Sequence, residues 1–461
     1  MYKPERKPMT ISHYQQLFNK HKEQILNDYF ELLRFRSVSA NPQYAPETIA
    51  CSVWLQDFLK KVDFQVEEWP TPGYPVIFAE KKSSSAKAPT ILLYHHYDVQ
   101  PEDPLDAWDS PPFEPTVREG NVYARGAEDN KGQLAYTLAL LKVIHAEGLK
   151  YDINLKILIE GEEEMGSGGL AKVLSQHADR VKADAVIIVD TGSWEHGTGS
   201  VTLGCRGIMT FDLRIQGPKG DLHSGTHGGI VVNPLIALCE LLASLHDQEG
   251  RVTIPGFYDD IEKFDPQGLD LSFDSQHYRN NFGEPAGGEK KFSPRERGWL
   301  RPTLEINGIG GGYQGEGFKT VIPAEGHAKI SCRLVPKQDP NKIAALVIHH
   351  LESHAPLGTK VKVTGKKGWG GAVRVPSTSR FVKAFQQANT ELYDKPCTLI
   401  LEGGSIGIAG QLQQVSGGDI LFVGMGLPTD QCHAPNEHFG IDRLEGGFCM
   451  LGRALNIIEK L

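Results

Sequence analysis

From His13 to Arg34, apolar residues recur every three or four positions, through Leu17, Phe18, Ile25, Leu26, Tyr29, Phe30, Leu32 and Leu33. That period predicts an amphipathic helix. A second helical pattern spans Pro46 to Lys60, with Trp54, Leu55, Phe58 and Leu59 facing inward, whereas residues 1–12 read as a loose polar tail. Beyond Pro89 the pattern alternates between strand-length apolar runs and helices. The runs are Thr90–Val99, Ile153–Glu160 and Ala185–Val189, and the helical stretches are Gln133–His145 and one near Leu170–Gln176. Strands alternating with helices predict a doubly wound, mostly parallel sheet of the α/β class.

After Gly204 the pattern changes. Gly207–Gln216 alternates with period two through Phe211, Leu213 and Ile215, and Asn233–His246 has helical spacing. Strands are expected at Thr303–Ile309, Ala324–Val335 and Lys360–Thr364, with a helix at Asp339–His354. The order β-α-β-β-α-β describes a split βαβ, ferredoxin-like unit. Residues 249–300 lack a period and form a long excursion. From Ser377 the first pattern returns, with a helix at Arg380–Leu392, a strand at Asp419–Val423 and a closing helix at Leu444–Lys460. The larger domain is therefore expected to be discontinuous, at 1–204 and 373–461. The smaller one, 205–372, is inserted into it, with hinges near 204 and 372.

Composition narrows the class. The chain has 461 residues, enough for two or three domains, and its 40% hydrophobic content suits a globular protein. A net charge of -9 argues against nucleic-acid or anionic-membrane partners, which want a basic face. Seven scattered cysteines without a Cys-x-x-Cys pair suggest a reducing, cytoplasmic setting. The polar start MYKPERKPMT has no signal-peptide core, and no apolar run approaches a membrane span.

The candidate chemistry lies where the apolar runs stop. Ile153–Glu160 runs into Glu162, Glu163 and Glu164, a triplet that a sheet interior does not tolerate without a cation. Taken alone it reads as a solvated acidic turn. Other runs end in His96 and Asp98, in Asp190, and before His433, while Asp129 precedes the helix that opens near Gln133. Ligands bind outside the carboxyl ends of such strands. Individually these residues have bland readings: Asp129 as a helix cap, Asp98 as a turn residue, each histidine as a structural one. Together His96, Asp129, Glu164, Asp190 and His433 suit two divalent ions, zinc or manganese. A carboxylate shared between the ions would hold them close enough to clamp an attacking water and a carbonyl oxygen. Glu163 or Glu162 could take the water's proton. Strand alternation sends His95 and His96 to opposite faces, and only His96 has His-x-Asp spacing.

The ordered segments YHHYDVQP, YARGAEDNKG, EGEEEMGSGG, the Asp190 strand end and CHAPNEHF resemble the di-metal peptidase family that includes aminoacylase, carboxypeptidase G and succinyl-diaminopimelate desuccinylase. GPKGDLHSGTHGG, VNPL, IPGFYDD, KTVIPAEG and SCRLVP are similar to the carnosinase and cytosolic non-specific dipeptidase branch. The resemblance implies a homodimeric hydrolase of small peptides carrying two divalent ions per subunit. It implies His96 and Asp190 as ligands of one ion, Glu164 and His433 of the other, and Asp129 as the bridge. It makes Asp98 the residue that orients His96, and Glu163 the general base. His223 would reach into the partner subunit's site, Arg333 would clamp the substrate carboxylate, and Asn233, Thr320 and Ser405 would make lesser substrate contacts. His223, Arg333 and Ser405 also have bland readings as a loop residue, a surface ion-pair partner and turn chemistry. The alternatives are an N-acyl-amino-acid deacylase or desuccinylase and, remotely, a catalytically silent peptide-binding protein.

Overall fold

The computed structural model describes residues 9–262, 268–365 and 370–461. Most of the expected tail, and parts of the 249–300 excursion and of the stretch before residue 372, lie outside the described residues.

A nine-stranded sheet forms the centre. Its order is Gln65–Trp69, Val76–Lys81, Asn154–Glu160, Thr90–His96, Ala185–Val189, Asp419–Val423, Ser200–Cys205 and Val373–Arg374, with Thr398–Glu402 also paired to Ser200–Cys205. The pairs from Asn154–Glu160 to Asp419–Val423 are parallel, as is Thr398–Glu402 with Ser200–Cys205; the remaining pairs are antiparallel. Alternation buries both faces, as a doubly wound sheet requires. Ile91, Leu93, Ile157 and Ile187 join one core with the helices Ile11–Arg34, Lys131–Ala146, Arg380–Tyr393 and Ile441–Ile458. Leu92, Tyr94, Leu158 and Ile188 join the opposite core, under Gly168–Val173 and Ala409–Ser416. Truncating any of these buried leucines to Ala would cost about 2–5 kcal/mol.

A second sheet is wholly antiparallel, in the order Thr303–Gly311, Glu325–Leu334, Gly207–Gln216 and Lys360–Gly365. The helices Pro234–Ala243 and Pro340–Ser353 cover one face, burying Phe211, Leu213, Leu238, Ile330 and Val347. Both helices start with the same device. Asn233 and Asp339 accept a backbone N–H two residues on, and proline follows at the first helical position.

The excursion is more ordered than its composition suggests. It contains the helices Ser275–Phe282 and Pro294–Trp299. It leaves the second sheet and docks on the first: Leu269 bridges Leu399, and Trp299 is buried in the large core. The strands Gln65–Trp69, Val76–Lys81, Ser200–Cys205 and Thr398–Glu402 escape the periodicity. They are short, and Gln65–Trp69 is a margin strand whose polar residues face solvent, so the apolar alternation is weak.

Candidate metal centre

Four of the five proposed ligands follow strands that neighbour one another in the large sheet. His96 ends its strand, Glu164 follows Glu160 by one tight turn, Asp190 directly succeeds Val189, and His433 lies in the loop after Val423. Asp129 comes from the turn before the helix Lys131–Ala146 and closes the group. His96 Nε2 lies 3.0 Å from Asp129 Oδ1 and 3.6 Å from Asp190 Oδ1. His433 Nε2 lies 2.8 Å from Asp129 Oδ2 and 3.4 Å from Glu164 Oε2. The two oxygens of Asp129 thus face two different imidazoles. Metal–ligand bonds of about 2.0–2.3 Å at tetrahedral angles separate neighbouring donor atoms by roughly 3.3–3.8 Å; the 3.4 and 3.6 Å spacings fall in that range, and the 2.8 and 3.0 Å ones are shorter.

Buried partners fix the group. Asp98 accepts the backbone N–H of Glu163 and of Glu164, both at 3.1 Å, and the Ser39 hydroxyl at 2.6 Å. It therefore ties the acidic turn to the His96 strand. His96 Nδ1 faces the Asp98 carbonyl at 3.1 Å and its carboxylate at 3.4 Å. Asn130 donates to Asp190 Oδ1 at 2.6 Å, and Gln100 donates to Glu164 Oε2 at 2.6 Å. Neither Asp129 nor Asn130 uses its side chain to cap the following helix. Glu437, fully buried, accepts the N–H groups of Gly126, Glu128 and Asp129 and pairs with Arg125 at 2.6 Å. His433 sits at φ 61°, in left-handed space that costs a non-glycine residue about 1–2 kcal/mol. Strain of this kind gathers at functional sites.

His95 turns away from the group. It is buried, its Nδ1 lies 3.1 Å from Asn130 Oδ1, and burial lowers its pKa to about 3. Glu162 turns away as well, with its carboxyl held between Gly73, Gly169 and Thr71. A side chain at either glycine would collide with it.

Burial pushes the Glu163 carboxyl well above its ordinary range, raises Asp190, and lifts Glu164 to about 6. Burial also pushes on Asp129, but the hydrogen bonds to His433 and His96 outweigh it and hold that carboxyl far down. Hydrogen bonding to Asp129 and Glu164 lifts His433 to about 10. Asp129, Glu163, Glu164 and Asp190 thus crowd together with only two imidazoles to balance them. Two buried cations of the segment that carries Asp129 are used elsewhere: Arg125 on Glu437, and Lys131 on the Phe35 carbonyl. Glu164 Oε1 is buried without a hydrogen-bond partner. An unpaired buried carboxylate oxygen is costly, and this nitrogen and oxygen donor set fits a pair of hard-to-borderline divalent ions.

The other singled-out residues lie on or beside the second sheet and do not join this group within the chain. His223 is exposed on a short ribbon opposite Val321, its Nδ1 accepting from Gly225 N at 3.0 Å. Asn233 is occupied as a helix cap, accepting from Leu235 N at 2.9 Å. Thr320 is exposed, and its carbonyl accepts from Ser224 N. Arg333 and Ser405 do meet, with Arg333 Nη1 donating to Ser405 Oγ at 2.8 Å. Burial lowers the Arg333 pKa. The sequence reading missed the supporting residues Ser39, Gln100, Arg125, Asn130 and Glu437. Gln100, Arg125, Asn130 and Glu437 lie inside segments already singled out, YHHYDVQP, YARGAEDNKG and CHAPNEHF; Ser39 carries no local signal.

A family model described as Peptidase family M20/M25/M40 matches residues 92–456. The chain is similar to the Cys-Gly metallodipeptidase of Schizosaccharomyces pombe, with 28% identity over 96% of this chain and 97% of that protein. It is also similar to human Beta-Ala-His dipeptidase, at 29% identity over 94% of this chain and 90% of that one. Among solved structures, an M20 family metallo-carboxypeptidase from Sulfolobus solfataricus is 31% identical, with a TM-score of 0.85 over 95% of this chain and 99% of that chain.

Proposed function

This chain belongs to peptidase family M20/M25/M40, and on that premise we propose that it is a dinuclear metallodipeptidase. The observation that carries the reading is Asp129, whose two oxygens face His96 and His433 separately. His96 and Asp190 would hold one divalent ion and His433 and Glu164 the other, with Asp129 shared; zinc and manganese both suit these donors. When bound, such a pair supplies Lewis-acid polarisation of the amide carbonyl and an acidified water. The chain's own groups do the rest. Glu163, raised by burial, accepts the attacking water's proton and returns it to the leaving amine. Asp98 positions both His96 and the turn bearing Glu163. Arg333, held by Ser405, would bind the substrate's free carboxylate as a two-pronged donor.

We assign 1–204 and 373–461 to the catalytic domain and 205–372 to the inserted one. Their separate sheets support this division, with the excursion's Leu269 and Trp299 packed against the larger domain's core. The second sheet's unit exposes Ile230, Ile236, Ile309, Phe318 and Leu357, apolar surface suited to a second copy of the chain. In that homodimer His223 would complete the neighbouring site and stabilise the tetrahedral oxyanion. Seven unpaired cysteines accord with a cytoplasmic setting. Among the described residues no helix is long and apolar enough to cross a membrane.

The likeness to a metallo-carboxypeptidase favours a second reading, release of the carboxyl-terminal residue from longer peptides. Both readings use a carboxylate clamp. The test is turnover of dipeptides, tetrapeptides and acetyl or succinyl amino acids with zinc or manganese added. Dipeptides should be cut fastest. Preference for tetrapeptides moves the assignment to the carboxypeptidase, preference for acyl amino acids moves it to a deacylase, and no turnover with any of them removes the hydrolase.

A further inference from the structure

Cys432 immediately precedes His433. The residue is exposed, yet its Sγ lies 3.2 Å from Asp129 Oδ2, the same oxygen that His433 Nε2 approaches at 2.8 Å. Consecutive side chains in an extended loop point opposite ways; the left-handed turn at His433 brings these two together. The donor atoms of Asp129, Cys432 and His433 all fall within 4.8 Å of one another. A thiol that merely hydrogen-bonded to Asp129 would explain the contact with Asp129 and nothing else. A second observation points to a cation: the Glu164 side chain, 5% exposed, has one oxygen 3.4 Å from His433 Nε2 and the other buried without a partner. Sulfur, imidazole and the Asp129 carboxylate therefore cluster around one position, and Glu164 approaches the same imidazole at 3.4 Å.

We propose that Cys432 is a sulfur donor to the ion held by His433, Asp129 and Glu164. It makes that half of the centre selective for thiophilic cations, while the half formed by His96 and Asp190 keeps only nitrogen and oxygen donors. Thiolates favour soft or borderline ions, and carboxylates favour hard ones such as manganese. On binding, the sulfur–metal bond forms as the thiol proton leaves to solvent. The two ions thus bind with different preferences, and a mixed pair, one thiophilic and one hard, fills the centre best. This inference rests on the two-ion reading above.

The test uses the whole protein, stripped with a chelator and titrated with cadmium. The wild type should develop the near-ultraviolet thiolate-to-cadmium charge-transfer band. The band should vanish in Cys432→Ser and persist in Cys239→Ser, which alters the other exposed cysteine. A wild type without the band, or a Cys432→Ser protein that keeps it, overturns the proposal. A second measurement needs no substitution. Iodoacetamide alkylates a free thiol with loss of iodide and a proton, and mass spectrometry locates the product. Prior zinc loading should slow alkylation at Cys432 and leave Cys239 unchanged; equal rates at Cys432 with and without zinc overturn it. Equilibrium dialysis separates the two readings. A protein that binds two manganese ions and turns over dipeptides, yet shows no thiolate band, loses only the Cys432 assignment, whereas one that binds no divalent ion loses both.

Discussion

The ligand rim and the proposed recognition group are built on opposite principles. At the rim, Asp129, Glu164, Asp190 and His96 each have a partner that fixes them: the Glu437 carboxylate through the Asp129 N–H, then Gln100 (partly buried), Asn130 and Asp98 in turn. In the recognition group, His223 and Thr320 are exposed and Asn233 is spent on a helix cap; only Arg333 and Ser405 are held, by each other. A metal site needs donors placed to within tenths of an ångström before any substrate arrives, and the candidate donors lie together within one chain here. Substrate recognition can be finished by a second chain or by closure of the inserted unit. The rim should thus be autonomous and the recognition group conditional.

The strongest test of autonomy separates chemistry from assembly. Glu163→Gln keeps the side chain's shape and removes the base. Turnover should fall by about 10²–10⁴-fold while two ions remain bound by metal analysis. Activity close to wild type would strip Glu163 of its role. Glu437→Ala attacks the rim's support instead. It leaves the Arg125 guanidinium, 1% exposed, without its charge partner. A lone buried charge of this kind costs about 3–5 kcal/mol, read as a lower urea midpoint. Because Glu437 also anchors the Asp129 N–H, metal affinity should drop by roughly 10–100-fold. An unchanged midpoint would mean that the buried pair is not what holds the rim.

How much of this was legible in the sequence follows the same division. The central strands could be read because alternation buries both of their faces: Leu92 and Leu93 point into different cores, so the run is apolar throughout. The candidate ligands could be picked out because a chain rarely ends several apolar runs in His, Asp or Glu without a cause. The supporting contacts of Glu437 and Gln100 could not, although both residues lie in the singled-out segments, since their partners lie far off in the chain. The excursion was opaque for a related reason. Leu269 and Leu271, and Trp299 and Leu300, form short apolar stretches in polar surroundings, and their destination, the Thr398–Glu402 strand and the large core, is a tertiary fact. From the residues alone Glu162 and Glu163 stayed open and only the family resemblance favoured Glu163; the nook at Gly73 and Gly169 holds the Glu162 carboxyl away from the group.

Conditionality is tested at His223. His223→Ala should lower turnover by about 10²–10³-fold, the usual effect of losing one oxyanion donor, with metal content unchanged. If the histidine acts across a dimer, mixing His223→Ala with Glu163→Gln subunits regenerates one intact site per mixed dimer and restores part of the activity. No recovery in verified mixed dimers would return His223 to its own chain's loop.

The smallest effect belongs to Ser405. Its hydroxyl accepts from Arg333 Nη1 at 2.8 Å and donates to the Arg206 carbonyl, so it aims the guanidinium without touching the reacting bond. Ser405→Ala removes one hydrogen bond to a half-buried cation while Arg333 keeps its charge. A loss of about 1 kcal/mol would raise KM roughly fivefold and leave kcat within a factor of two. The effect should disappear with dipeptides whose carboxyl terminus is amidated, because Arg333 then has no carboxylate to meet. An equal rise in KM for free and amidated substrates would show that Ser405 supports the site generally, and would break the link between Arg333 and the substrate carboxylate.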